Sequence, residues 1–439
     1  MESIGAEIHE FIMYLQTVGF SKLLRVFWFF FFFEFFRYVV VDLVSLIFIK
    51  WDRYRNRYNY LDAKRRLWLE LPLVSIIVPG KNEGKHIFKL TTSLQEQTYT
   101  NFELIIVDDG SDDDTEIICK SLKKNGYIDY FVRNEVRGGK ASGANTALRI
   151  AKGKYVVHLD ADCSYDYDAI ENIIIPFYED RKIGAVGGNV MVRNYRESVV
   201  TALQGFEYTD AISIGRMVSS YLGIYRVVSG AFGAFRMDLL QRVQGWDIGP
   251  GLDGDITVKF RKLGYKIRFE DRAVCQTSVP NTFQKLTKQR LRWDKSLVRF
   301  RLRKHSDVFF PHQNFSLSNF ISFLENITYT LILNIKWYIY AADMVFNFAS
   351  LLPFIIVMNI FLYTGANLFK LLIFNLFRER TNAPFSYFLV YVPLMVFYHG
   401  YYLRIVRSIA YVKEFFFKES YKDPWNPEKT SIKALEIGI

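Results

Sequence analysis

Between residues 72 and 300 short apolar runs alternate with helically patterned stretches. Val74-Ser-Ile-Ile-Val78 is a β-branched run stopped by Pro79-Gly80, which predicts a strand ending in a turn. Helical patterning follows through about Gln97, and residues 102–107 form a second strand closing on Asp108-Asp109-Gly110-Ser111. Ser111 with Asp112 to Asp114 offers N-cap chemistry for a helix through Lys124. Residues 130–132 are a third strand, residues 140–151 a helix, and residues 155–159 a fourth strand running into Asp160. Further strands are expected at 185–188, 227–235 and 265–269. Such alternation predicts an α/β fold with a parallel, doubly wound sheet, whose carboxyl edge would hold a nucleotide.

The ends of the chain read differently. Residues 344–369 and 381–403 contain no Asp, Glu, Lys or Arg, and each run is long enough to cross roughly 30 Å of hydrocarbon. Residues 26–49 are nearly as apolar but carry Glu34, Arg37 and Asp42, with Glu34 and Arg37 spaced to pair on one helix face. This stretch is too long for a signal-peptide core and reads as a retained anchor. Residues 309–335, aromatic and sparsely charged, suit an amphipathic helix in the membrane interface. The expected domains are 1–71, a membrane anchor with a basic juxtamembrane segment; 72–308, the α/β domain; 309–417, interfacial and transmembrane helices; and 418–439, a cytosolic tail. That tail is expected to hold an ordered turn at Asp423-Pro-Trp-Asn-Pro427 and no regulatory domain.

Charge sharpens the topology. The net charge of +11 is concentrated between Arg53 and Arg66 and between Lys285 and Lys304, beside the apolar runs. Basic flanks mark the cytoplasmic side of a membrane, so the α/β domain should face the cytoplasm of a multi-pass protein in the plasma membrane. Juxtamembrane placement disfavours nucleic-acid binding, the rival reading of such charge. Cys119, Cys163 and Cys275 show no metal or redox spacing. Neither GxGxxG nor a Walker A sequence is present, so neither a classical dinucleotide site nor a P-loop is supported.

Four stations carry candidate chemistry. Asp108 and Asp109, at a strand end, can accept hydrogen bonds from a base or ribose, or cap the following helix. Asp160 and Asp162, two apart on what reads as extended chain, would point to the same side and share a hard divalent cation. In Gly249-Pro-Gly-Leu-Asp253-Gly-Asp255, at a helix start, one carboxylate could be a cap or a general base. Gln289, Arg292 and Trp293 lie three and four apart on a helix, and supply an amide, a guanidinium able to grip phosphate and an indole on which a sugar could stack.

With these residues the sequence resembles the membrane-integrated processive synthases of glycosyltransferase family 2, the cellulose, chitin, hyaluronan and poly-N-acetylglucosamine synthases. The resemblance covers roughly residues 72–310. It rests on Val-Ser-Ile-Ile-Val-Pro with Asn82-Glu83, Val-Asp-Asp-Gly-Ser, Asp-Ala-Asp, Ser-Gly-Ala-Phe-Gly-Ala-Phe-Arg and Gln-Arg-Leu-Arg-Trp in that order. It implies a GT-A (Rossmann-like) domain, a UDP-sugar donor, Mg2+ or Mn2+, and inversion at the anomeric carbon. It also implies that Asp108 or Asp109 contacts the uridine, Asp160 faces the nucleotide sugar, and Asp160 with Asp162 holds the metal. Asp253 would be the base, Gln289, Arg292 and Lys140 would hold the diphosphate, and Trp293 and Gly230 would border the acceptor. The implied partners are the donor, a growing glycan and the lipid bilayer, with a homo-oligomer or an accessory export subunit left open.

Two departures stand out. Leu252 precedes Asp253 where the family has an acidic pair, leaving Asp255 as a competitor for the base. Gly80-Lys81 replaces the family's usual aromatic or Arg-containing residues before Asn82-Glu83. The expected reaction is processive transfer from UDP-glucose or UDP-N-acetylglucosamine to a β-linked polysaccharide. The rivals are single addition to a lipid-linked acceptor and a non-catalytic assembly role.

Overall fold

The computed structural model describes Met13 and residues 26–248, 251–311, 315–380, 383–422 and 427–436. Gly249, Pro250 and most of the expected turn at 423–427 therefore lie outside the described residues. The centre is an eight-stranded sheet in the order β3-β2-β1-β4-β7-β6-β8-β5. The strands are β1 Val74–Gly80, β2 Phe102–Asp108, β3 Tyr130–Arg133, β4 Tyr155–Leu159, β5 Ser164–Tyr165, β6 Ile183–Val192, β7 Phe232–Arg236 and β8 Lys266–Thr277.

The first half is the parallel unit that the alternation predicts: β2 and β4 flank β1, and β3 adds to β2, all parallel. The second half departs from it. β7 runs antiparallel to both β4 and β6, and β5 pairs antiparallel with β8. β7 is reached after a helical excursion through Val199–Glu207 and Gly215–Tyr221 rather than by a single crossover helix, which frees it from the parallel rule. β7 also begins at Phe232, later than its apolar run, because residues 228–231 form a turn.

β1, β2 and β4 are buried on both faces, while the edge strand β3 is half-buried. One layer packs Val74, Ile76, Val78, Leu104 and Ile106 under the Gly84–Gln95 and Thr115–Lys124 helices. The other packs Ile77, Ile105, Val107 and Val156 against the small residues Ala141, Ala144 and Ala147 of the Lys140–Ile150 helix. That pattern is what a doubly covered sheet requires. The Thr115–Lys124 helix is opened by Asp113, whose Oδ1 accepts from the Thr115 amide at 3.1 Å. Ser111, expected as a cap, instead bonds back to Asp108.

Among the described residues one helix, 349–377, is long and apolar enough to cross a membrane. The apolar run at 381–403 is divided into the short helices Phe385–Leu389 and Val392–Phe397 and the π-helical Tyr398–Tyr402. Its Phe388, Val392, Met395 and Tyr398 bury against Val200, Leu203 and Phe206 of the Val199–Glu207 helix. Glu34 and Arg37 do not pair with each other. Phe30–Val40 is a π-helix, whose wider turn moves residues three apart off a common line. Arg37 instead binds Asp42 and Glu325, each at 2.9 Å, and Glu34 takes Arg404. Farther along, Arg53 bridges the Val41–Arg55 helix to β8 through the buried carboxylate of Asp271 (3.1 Å to Oδ2).

Arg53→Met leaves the Asp271 carboxylate buried without its counter-charge. It should cost about 3 kcal/mol, read as a lowered thermal unfolding midpoint of the protein in detergent.

Candidate active site

β4 carries its chain to the carboxyl edge of the sheet and stops at Leu159. Beyond it the chain turns, with the Cys163 amide donating to the Asp160 carbonyl at 3.3 Å. Asp160 and Asp162 therefore stand on a turn, and the extended geometry expected for them is not what brings them together. Tyr165 from β5 donates to the Asp160 carbonyl at 3.3 Å, and Arg193 donates to the Asp162 carbonyl at 3.0 Å. The turn is thus held by its backbone, which leaves the carboxylates to face the cleft.

Lys140, the first residue of its helix, places its ammonium on Asp160. Gly230 shows what else meets there: a Cβ on it would lie 2.6 Å from Asp253 Oδ1 and 3.1 Å from Lys140 Nζ. A side chain here would push the base candidate and the ammonium out of their present positions. Burial opposes the charge on Lys140, yet Asp160, Asp253 and Asp162 together hold it above the ordinary lysine range. Asp253 is pushed up by burial, with Lys140 and the Gly230 amide pulling the other way.

Asp255 has the opposite fate. Burial alone would raise it, but a 2.8 Å bond from His305, Lys304 at 2.7 Å and Lys259 at 3.6 Å hold its carboxyl well below the usual range. It is 1 % exposed and bound to structural partners, whereas Asp253, in the first turn of the Leu252–Lys262 helix, faces the cleft. The two competitors for the base are thereby separated by environment.

Glu83 is a site residue to which the sequence alone assigned no role. Burial, then Asp162 and Asp160, push its carboxyl up to about 7, and Asp162 is raised by burial and by Asp160. Gly80 is the signal that would have found Glu83: a Cβ there would lie 2.8 Å from the Glu83 Cγ, so the glycine lets the glutamate fold back. His158, the one polar residue in β4, was likewise missed. Burial and Lys140 push it down to about 4, so it is neutral.

Asp108 and Asp109 sit deeper, at the end of β2. Asp108 accepts from the Ser111 amide at 2.9 Å and from Arg133 at 3.2 Å. Asp109 accepts from the Gly138 amide at 2.9 Å, the Gly139 amide at 2.6 Å and Asn134 at 3.1 Å. Both are buried and shape the 134–139 loop that delivers Lys140. Gln289, Arg292 and Trp293 lie on the Phe283–Ser296 helix. Trp293 is 38 % exposed, with the guanidinium of Arg290 4.7 Å over its ring. Arg290 in turn binds Glu207 at 2.8 Å, and Gln289 Oε1 is buried without a hydrogen-bond partner among the described residues. The chain continues into the π-helix Leu297–Lys304, whose Phe300 abuts Gly251 beside Asp253. A cavity of about 910 Å³ lined by Arg66, Glu70, Lys154 and Arg236 opens at the other end of β4 and contains none of these groups.

Residues 75–243 match the family model described as glycosyl transferase family 2. Over that segment the chain is similar to family 2 glycosyltransferases. Over 258 residues the chain is 33% identical to the poly-beta-1,6-N-acetyl-D-glucosamine synthase of Staphylococcus epidermidis, which covers 58% of this chain and 61% of that protein. It is 34% identical over 227 residues to the synthase of the same name from Staphylococcus aureus strain COL, covering 51% and 54%. The chain thus spans about three-fifths or less of the length of these curated relatives. Among solved structures it is similar to the mannosyltransferase PcManGT from Pyrobaculum calidifontis, in complex with GDP-Man and Mn2+. That likeness has a TM-score of 0.55 at 21% identity and covers 86% of this chain and all of that one, which establishes the shared fold.

Asp255→Ala leaves Lys304 and Lys259 with Asp247 alone and His305 without its acceptor, and should lower stability by about 1–3 kcal/mol. Because the folded carboxyl is depressed, its contribution is present above the ordinary carboxylate value of ~3.9 and is lost as pH falls below it. The difference between the wild type and this variant in urea unfolding should therefore be smaller at pH 3 than at pH 7.

Proposed function

We propose that this protein is an inverting, metal-dependent glycosyltransferase that extends a β-linked polysaccharide from a UDP-sugar at the cytoplasmic face of a membrane. The observation that carries the reading is the convergence on Gly230 of Asp253, with its raised pKa, and the Lys140–Asp160 pair. One carboxylate is poised to take a proton beside a cationic donor edge. The relatives' names favour N-acetylglucosamine as the sugar, and the Gln-Arg-Leu-Arg-Trp element favours repeated over single addition.

Asp253 takes the proton of the acceptor hydroxyl as that oxygen attacks the anomeric carbon of an α-linked donor, which gives a β-linked product. The exposed Trp293 offers the acceptor sugar a stacking surface. Gln289 and Arg292, with Lys140, bind the diphosphate, and the loop that Asp109 holds walls the nucleoside. Asp160 and Asp162 suit a divalent cation such as Mg2+ or Mn2+. Glu83 and Asp162 are raised by burial and then by neighbouring carboxylates, the state of an acidic cleft short of positive charge, and such ions are held by one or two carboxylates plus substrate phosphates. When bound, the ion would offset charge on the departing diphosphate. The apolar 349–377 helix would seat the protein in the bilayer.

Membranes containing the protein, given labelled UDP-N-acetylglucosamine and Mn2+, should form polymer. A product that stays lipid-linked with a single added sugar would overturn the processive reading. Asp253→Asn should lower kcat by roughly 10²- to 10⁴-fold, the usual range for a general base. In the wild type the acid limb of kcat/KM should lie above ~3.9, since only the ionised, burial-raised carboxylate is active.

A further inference from the structure

His158 occupies a place that neither packing nor the proposed chemistry explains. It is 1 % exposed, two residues before Asp160 in β4, with its ring 5.7 Å from that of Trp246. Its Nδ1 lies 2.6 Å from the Gly230 carbonyl oxygen. A carbonyl only accepts, so Nδ1 carries the proton. Nε2 is then a bare acceptor, and it finds no hydrogen-bond partner among the described residues. A buried polar ring kept in an apolar strand for a single hydrogen bond points to what that bond holds.

It holds one peptide of a turn gripped from two sides. The Ala231 carbonyl accepts from Tyr165 at 2.9 Å and from the Asp160 amide at 3.4 Å, both on the β4–β5 side. On the other side, the Val228 amide donates to Thr257 Oγ1 at 3.0 Å, and that hydroxyl donates to the Asp253 carbonyl at 2.7 Å. Gly230 itself presents its amide to the Asp253 carboxylate and its carbonyl to His158. His158 and Asp253 therefore hold the two ends of one peptide segment.

We infer that His158 is a positioning residue. By donating to the Gly230 carbonyl it fixes the Ser229–Ala231 turn, and with it the spacing between the Asp253 carboxylate and the Asp160 edge. It touches no reacting atom, and the inference rests on the reading of Asp253 as the base. Loss of the bond frees the turn to shift, and a displacement of about 1 Å in reacting geometry can cost ~10²-fold in rate. Donor binding, which depends on Asp160, Lys140 and the 134–139 loop, is left in place.

Asparagine can place its Nδ2 where the imidazole Nδ1 stands, whereas glutamine carries the same amide one carbon too far and leucine carries none. UDP release from UDP-N-acetylglucosamine with Mn2+, measured on the detergent-solubilised full chain, separates them. His158→Gln and His158→Leu should lose kcat by roughly 10- to 100-fold with donor KM changed by less than about twofold. His158→Asn should stay within about threefold of the parent in kcat. Should the leucine variant fail to fold, the two amide variants carry the comparison. Equal losses in His158→Asn and His158→Gln, or kcat in His158→Gln within about threefold of the parent, would overturn the assignment. Asp253→Asn, assayed alongside, isolates the underlying reading: if it turns over normally, the base assignment fails whatever the His158 series shows.

Discussion

The ammonium of Lys140, lodged among Asp160, Asp253 and Asp162, is the interaction on which the rest of the site depends. Glu83 adds a fourth carboxylate to the same cleft. Like charges sharing a buried cleft disfavour one another's ionisation, so the carboxylates around this one cation oppose each other. The molecule responds by raising Glu83 and Asp162 while Lys140 spends its direct contact on Asp160. A cleft in that condition is built to receive positive charge, or a ligand that brings its own. The geometry delivering Lys140 is accordingly overdetermined. Asp109 fastens the two glycine amides immediately before it, and Gly230 has no side chain that could displace its tip.

The same economy separates Asp253 from Asp255. They lie two residues apart in the first turn of one helix, so the positive helix terminus favours both carboxylates. Their neighbours decide the difference. Asp255 faces Lys304, Lys259 and His305 and is held ionised for structure, while burial, with a smaller push from Asp160, makes Asp253 harder to ionise against the pull of Lys140. Titratable groups pushed apart in this way are the arrangement that acid–base chemistry uses. It requires no acidic residue at position 252, which is how this chain manages with Leu252.

Much of this was legible from sequence because the parallel half of the sheet follows local rules. Strands of four to seven residues, each closed by an acidic or glycine-rich loop, announce both the fold and its carboxyl edge. What could not be read depended on contacts between distant segments. β7 is antiparallel because of the path the chain takes through residues 199–221. Asp160 and Asp162 meet through a turn fastened by Tyr165 and Arg193, and Arg290 lies over Trp293 because it is anchored by Glu207, which Tyr398 holds in turn. Glu83 and His158 were visible as letters, yet their roles depend on a missing Cβ at Gly80 and on a carbonyl 72 positions away.

The apolar helices are bound to the catalytic half by charge as well as by packing. Arg37 binds Asp42 and Glu325, Lys370 binds Asp210 at 3.3 Å, and Glu34 takes Arg404, so five chain-distant segments share largely buried ion pairs. In an apolar setting such pairs add little net stability over apolar packing, but breaking one strands a charge at a cost of several kcal/mol. Their effect is to fix register: a helix that slides by a turn loses its partner outright. The Phe283–Ser296 helix is tied into the same frame through Arg290 and Glu207, and Asp294 lies 3.6 Å from Arg407. The platform that presents Trp293 is thereby set by the apolar helices as much as by the sheet. The spacing between Trp293 and Asp253 is then a property of the whole chain rather than of its glycosyltransferase domain alone.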